Sequence, residues 1–197
     1  MAKQRLVQFE YFHWGPFLYR TKLSKEEIDK IKSLCKKNNK KDYRKKLAGL
    51  LKEEYSIDKN KLFSIISPYL QSYYKGYFDY TGKVLGKKIN LKGSWVNFMK
   101  KNEFNPLHNH SDDLSFVIFV QIPEALVEEN KQTITSGTKP GSISFIINFQ
   151  SLHSISCRDF FPEEGDFFIF PANLTHFVNP FKSDVERISV SGNIKVN

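Results

Sequence analysis

Hydrophobic positions change their rhythm about halfway along the chain. In "LSKEEIDKIKSLCKK", Ile28, Ile31 and Leu34 recur at helical spacing. Ser24 with Glu27 three residues later forms a capping box, so a helix is predicted to begin just after Ser24. Lysines crowd its C-terminal end, where they complement the helix dipole. A second, short helix is predicted over 42–55. A third is predicted over about 60–80, "KLFSIISPYLQSYYKGYFDY", with Pro68 as a kink or break. Ahead of them, residues 5–20 are rich in Phe, Tyr and Val and predict a strand. From "INLKGSWVNFMKK" onward the pattern becomes alternating or continuously apolar. Strands are predicted at 92–100, 114–122, 141–149, 165–171, 174–179 and 185–196, with turns at "KPGS", "PEEGD" and "FKSD".

Helices first and many short strands afterwards predict an α+β arrangement. In it, N-terminal helices buttress one face of an antiparallel β-sandwich or jelly roll. The 197 residues are read as one domain, with a helical half over 1–88 and a β core over 89–197.

Composition narrows the classes further. The chain carries 18 Phe, and 40% of its residues are hydrophobic, which is a folding rather than a disordered composition. Its apolar runs, such as 116–120 and 167–171, are too short to span a bilayer, and the N-terminus lacks the apolar core of a signal peptide. A cytoplasmic location is the expectation. Cys35 and Cys157 stand far apart without CxxC spacing, against a disulfide scaffold or a zinc knuckle. Charge is polarised: residues 1–101 hold 24 Lys/Arg against 9 Asp/Glu, and residues 102–197 hold 6 against 12. A basic half of that kind suits nucleic acid or an acidic protein, but interleaved Glu and apolar residues fit a solvated helix face equally well.

The candidate chemistry lies in "FNPLHNHSDDLSF". His108, His110 and Asp112 alternate at i, i+2 and i+4, and in an extended segment all three emerge on one side. Imidazole plus carboxylate on one face suits a first-row divalent metal. A third ligand must come from elsewhere, and His176 in "FPANLTHFVNPF" follows a turn and strand that would deliver it across the sheet from His110. Two histidines and one carboxylate form the facial set of non-haem Fe(II) sites, with positions left open. Further on, "ERISVSGNI" places Arg187 and Ser189 at i, i+2 on a predicted strand. A guanidinium on a core strand calls for an anion, and a carboxylate with an added hydroxyl bond fits it. A dicarboxylate that chelates the metal at one end and meets Arg187 at the other satisfies both demands; 2-oxoglutarate is such a molecule. Trp95 and Asn97 precede the ligands on their strand, and Asn97 is a candidate hydrogen-bonder to the co-substrate. Asp113 is expected to face solvent. His13 and His153 read as structural or exposed.

The motifs H-x-D, distal H and R-x-S in a jelly-roll setting resemble the Fe(II)/2-oxoglutarate-dependent dioxygenases. The segments "SWVNFMKKNEFNPLHNHSDDLSFVIFVQIPEAL" and "HSISCRDFFPEEGDFFIFPANLTHFVNPFKSDVERISVSGN" are similar to the oxygenases of marine bacteria and phages, distantly prolyl 4-hydroxylase-like. The resemblance covers roughly residues 90–195. It implies a double-stranded β-helix of cupin-like form, with Fe(II) on the first pair and His176, and 2-oxoglutarate on Arg187 and Ser189. It also implies O₂ as co-substrate, with hydroxylation of a prolyl or other protein residue, or of a small molecule, and release of succinate and CO₂. The family's pattern at the first ligands is closer to H-x-H. The ligand set is therefore His110, Asp112 and His176, favoured because a carboxylate balances the charge of Fe(II), or His108, His110 and His176 with Asp112 behind them.

Two other readings stay open. "GDFFIFPANLTHFVN" approaches the second cupin motif, which suits a metalloprotein with a different reaction, but no Glu follows His110 at the first. A non-enzymatic basic β-sandwich that binds a polyanion is the third.

Overall fold

Two antiparallel sheets face each other in the computed structural model of the chain, which describes residues 15–37, 41–86, 88–147 and 154–197. The chain opens with β1 (Tyr19–Lys22) and α1 (Lys25–Leu34), then reaches β2 (Glu54–Ser56) and α2 (Lys59–Thr81). The β core follows as β3 (Ile89–Met99), β4 (Asn105–His108), β5 (Leu114–Gln121), α3 (Glu124–Gln132), β6 (Ile143–Ile146), β7 (Cys157–Phe160), β8 (Asp166–Pro171), β9 (Thr175–Val178) and β10 (Arg187–Val196). The larger sheet runs β1-β8-β5-β10-β3-β2 and the smaller β4-β9-β6-β7. Every pairing is antiparallel. This is the expected α+β jelly roll, with the N-terminal helices α1 and α2 on one face.

The larger sheet is covered on both sides, which is why its central strands read as unbroken apolar runs. On β5, Phe116, Ile118 and Val120 point outward into a core shared with Ile28 and Ile31 of α1 and Leu62, Ile66, Leu70 and Tyr73 of α2. Val117 and Phe119 alternate to the other face, where they meet Phe145, Phe168, Phe170 and Leu126 between the sheets. Each such side chain contributes about 1.5–3 kcal/mol on leaving water.

The local signals act as physics requires. Ser24 accepts from the Glu27 backbone N–H, and the Glu27 carboxylate accepts from the Ser24 N–H at 2.8 Å, closing the capping box of α1. α2 runs through Pro68 without a break. Proline costs a mid-helix about 3 kcal/mol, and four side chains buried on the sheet by α2 outweigh it. The helix expected over 42–55 does not form. There the chain makes a 3-10 turn at Arg44–Lys46 and then β2, because its backbone pairs with β3, as in the Phe98 N–H to Glu53 carbonyl bond of 3.0 Å. Of the strand expected over 5–20, β1 occupies the end; residues 1–14, with His13, lie outside the described residues, as does His153. Among the described residues no helix is long and apolar enough to cross a membrane.

Candidate metal centre and its cavity

β4 pairs with β9 so that His108 lies directly opposite His176. Opposed residues of an antiparallel pair project from the same face, and the two ring centroids are 4.2 Å apart. His110 lies two residues beyond β4, held by its backbone N–H on the Ala172 carbonyl at 2.8 Å, in the turn between β8 and β9. Its ring is 5.1 Å from that of His108 and 5.2 Å from that of His176. One ligand atom from each of the three histidines falls within 4.8 Å of the others. Small rotations close such a set on one ion, with metal–nitrogen bonds of about 2 Å.

The protonation state suits a metal. Burial pushes all three imidazoles down: His108 below its usual range, His110 to about 4 and His176 to about 3, the last two helped by neighbouring histidine charge. All are therefore neutral at pH 7. Nδ1 of His108 lies 2.7 Å from the Pro106 carbonyl, and Nδ1 of His176 lies 2.9 Å from the Leu174 carbonyl. A carbonyl only accepts, so Nδ1 carries the proton in both rings and Nε2 presents its lone pair.

Asp112 stands apart from this group. The i, i+2, i+4 alternation needs an extended chain through residue 112, but β4 ends at His108 and residues 111–113 bend. The bend is secured by the Ala172 N–H on the Asp113 carbonyl at 3.0 Å and the Asp113 N–H on the Ile194 carbonyl at 3.2 Å. It turns Asp112 away, and that carboxylate belongs neither to the histidine group nor to the cavity wall. Asp113 is exposed and pairs with Lys195 at 3.0 Å.

Arg187 opens β10 and is only 1% exposed. Its Nη1 donates to the Gly141 carbonyl at 3.0 Å, its Nη2 lies 2.9 Å from the Met99 sulfur, and among the described residues its Nε has no partner. The adjacent acids are occupied elsewhere, Glu186 by Lys37 at 2.7 Å and Asp184 by Lys101 at 3.1 Å. Burial lowers the guanidinium to about 10, which leaves it charged at neutral pH. A buried cation without an anion is costly, and among the described residues no carboxylate pairs with this one.

Neighbouring strands build the rest of the wall. Ser189 lies opposite Asn97, and Ser191 opposite Trp95. The Asn97 amide donates to Ser189 Oγ at 3.3 Å and Ser191 Oγ at 3.4 Å, while its Oδ1 has no partner. One cavity of about 250 Å³ is lined by His108, His110 and His176 together with Arg187, Ser189 and Asn97. Tyr43, Lys46, Gly49 and Glu54 also line it, and sequence reasoning missed all four. Tyr43 stacks on Trp95 with ring centroids 5.7 Å apart.

Fold and cluster together give a jelly roll in which three histidines able to hold a metal ion and a buried arginine line one cavity. Residues 93–193, over half of the chain, match the family described as "Putative 2OG-Fe(II) oxygenase". The chain belongs to that family: it is a 2-oxoglutarate-dependent dioxygenase that uses Fe(II), 2-oxoglutarate and O₂. Membership decides against the cupin-type and non-enzymatic readings.

Solved structures agree on the fold. A prolyl-4-hydroxylase from Pseudomonas putida is similar at a TM-score of 0.61 and 11% identity, over 91% of this chain and 92% of that one. The viral collagen prolyl hydroxylase of Paramecium Bursaria Chlorella virus-1, solved with 2-oxoglutarate, gives 0.54 and 15% over 91% and 96%. HygX from Streptomyces hygroscopicus, solved with nickel and 2-oxoglutarate, gives 0.54 and 10% over 90% and 82%. No curated protein matches the chain.

Proposed function

We propose that His108, His110 and His176 hold Fe(II), and that Arg187 and Ser189 hold the distal carboxylate of 2-oxoglutarate. The chain then hydroxylates a C–H bond of a substrate that is a protein residue or a small molecule. The observation that carries this reading is the shared cavity: an unpaired, buried guanidinium and three neutral imidazoles line the same 250 Å³ space. A three-imidazole set leaves the ion's double charge uncompensated, which strengthens its preference for a chelating anion over a neutral ligand.

Fe(II), with 2-oxoglutarate and O₂, supplies the oxidising power, and succinate and CO₂ are released. The chain's own residues do the rest. The Pro106 and Leu174 carbonyls fix the rings and tautomers of His108 and His176. Arg187 neutralises the co-substrate's far carboxylate. Ser189 accepts from the Asn97 amide, so its own O–H is free to donate to that carboxylate; Asn97 orients it. Val117, Phe119 and Phe170 supply apolar wall, and exclusion of water strengthens the ion pair. The Trp95–Tyr43 stack, beside His110 at 6.1 Å between the Trp95 and His110 rings, lies where a substrate would approach.

The likeness to two prolyl hydroxylases supports a prolyl or other protein residue as the first substrate class to try. The same proposal treats the chain as one catalytic domain, supported by the core that α1 and α2 share with β3, β5, β8 and β10. Anaerobic thermal unfolding tests the reading. Fe(II) with 2-oxoglutarate should stabilise beyond Fe(II) alone, by about 2.7 kcal/mol at a hundredfold excess over Kd. A 2-oxoglutarate effect that is absent, or equal without metal, contradicts it.

A further inference from the structure

The cavity also holds an acid that the reading above leaves unused. Glu54 begins β2 at the edge of the larger sheet. In the strand registers it lies opposite Asn97, which lies opposite Ser189 on β10. The three residues therefore form one row across β2, β3 and β10, facing the same way, and all three line the cavity. Glu54 is 1% exposed, and among the described residues its Oε2 has no hydrogen-bond partner.

No group of the described chain hydrogen-bonds that oxygen, and only the Arg44 charge acts on the carboxylate favourably, from a distance. Arg44 is committed to Asp42 through Nη2 at 2.6 Å, and the Lys46 ammonium lies over the Tyr43 ring, 5.3 Å from its centroid. The neighbouring acid, Glu103, is satisfied differently: its two oxygens accept from the Lys52 and Lys100 backbone N–H groups at 3.0 and 2.9 Å. Glu103 is thus a structural acid, and its charge works against that of Glu54. Burial first, and Glu103 second, raise the Glu54 carboxyl to about 7.

Glu54 is also held in place. A Cβ on Gly49 would fall 2.4 Å from Asn105 Oδ1 and 2.8 Å from Glu54 Oε1. The bare Gly49 backbone therefore packs close to both side-chain ends, and a larger residue there would have to displace them. The next residue, Leu50, donates its N–H to the Phe104 carbonyl at 2.9 Å, which closes the seam between β2 and the segment leading into β4. Glu54 does not belong to the histidine cluster, so it is not placed as a ligand.

We infer that Glu54 recognises a cationic nitrogen, an ammonium or guanidinium, on the substrate, with the unpartnered Asn97 Oδ1 as a second acceptor. This rests on the proposed function and narrows it to basic substrates. A buried carboxylate is costly alone and is repaid by a cation brought in by the ligand, the same logic by which Arg187 awaits a carboxylate. The cavity thus holds a buried guanidinium and a buried carboxyl, each with an atom unpartnered among the described residues, and a bound cation would favour the ionised form of Glu54.

The test uses the full chain loaded with redox-inert Zn(II) and 2-oxoglutarate. It is titrated calorimetrically with n-butylammonium and methylguanidinium, and in parallel with the neutral analogues n-butanol and methylurea. The wild type should bind the cations saturably and in preference to the neutral molecules. Glu54→Gln, close in size and without the buried charge, should weaken cation binding by about 30-fold or more and leave 2-oxoglutarate affinity unchanged. Equal binding of cations and neutral analogues, no cation binding by the wild type, or wild-type cation affinity in Glu54→Gln would each overturn the assignment. Failure of 2-oxoglutarate to bind would instead strike at the Arg187 reading, and titrating the Zn(II) form alone would still report on Glu54.

Discussion

His108 and His176 are register partners across β4 and β9, and their rings stand 4.2 Å apart with Nδ1 of each turned to a backbone carbonyl. The pairing of two short strands thus brings two imidazoles together, and the His110–Ala172 bond brings the third. His108→Ala, His110→Ala and His176→Ala should each weaken Fe(II) binding by more than the roughly 10–100-fold lost with an outer partner, whereas Asp112→Ala should bind as the wild type does. Anaerobic equilibrium dialysis distinguishes the two ligand sets. Loss of iron in Asp112→Ala with retention in His108→Ala would restore the carboxylate set.

Arg187 invites a stability comparison of unusual sign. Its guanidinium is buried, with one unpaired nitrogen and no carboxylate partner among the described residues. Arg187→Met should therefore unfold no more easily than the wild type in metal-free buffer, since uncompensated buried charge is often neutral or costly to keep. With Fe(II) and 2-oxoglutarate present the order should reverse, because only the wild type gains from the diacid. Urea titrations under both conditions check this, and a variant destabilised equally in both would mark Arg187 as structural.

The buried histidines impose an acid limit. Their folded values are depressed, to about 4 for His110 and about 3 for His176, against about 6.5 in an unfolded chain. Between those values the unfolded state binds more protons. Their contribution is complete above about 6.5 and is lost as pH falls toward 4 and then 3. Glu54 runs oppositely: its folded value is raised to about 7, so its contribution is complete below about 4.3 and fades as pH rises through 7. Melting curves of the metal-free protein should show His176→Phe losing less stability than the wild type between pH 6.5 and 4. They should also show Glu54→Gln gaining on the wild type between pH 5 and 8.

Gly192 tests the sheet itself. A Cβ there would lie 2.6 Å from the Phe116 ring and 2.7 Å from the Gly93 carbonyl, one of them backbone that cannot yield. Gly192→Ala should destabilise by about 1–3 kcal/mol, the cost of overpacking, measured by urea unfolding. A change below about 0.5 kcal/mol would show that β10 shifts freely.

Much of this was legible in the sequence because burial and capping are written locally. The Ser24–Glu27 box and the Ile28–Ile31–Leu34 spacing specify α1, and the apolar runs specify β5, β8 and β10. The segment 42–55 was misread because "KKLAGLLKEEY" has helical spacing, yet its conformation is decided by pairing with the distant β3. α3 was not read at all. It buries only Leu126 and Asn130, too little for a periodic signal, although Pro123 followed by Glu124 marks a helix start. The residues His108, His110, His176 and Arg187, which the fold gathers around one cavity, stood out by residue type and spacing. The turn that diverts Asp112 was not, since it depends on bonds to Ala172 and Ile194, each far along the chain. Glu54 looked like one more acid on a solvated helix, and only the register with Asn97 brings it to the cavity.

The central claim is that iron and Arg187 grip the two ends of one diacid. Anaerobic titration of the Fe(II)-loaded protein with 2-oxoglutarate, followed by the visible metal-to-ligand charge-transfer band, tests it most directly. The account predicts a saturable band in the wild type, and an Arg187→Met titration displaced to concentrations about 30-fold higher or more. Iron bound without any band, or superimposable titrations of wild type and Arg187→Met, would contradict it.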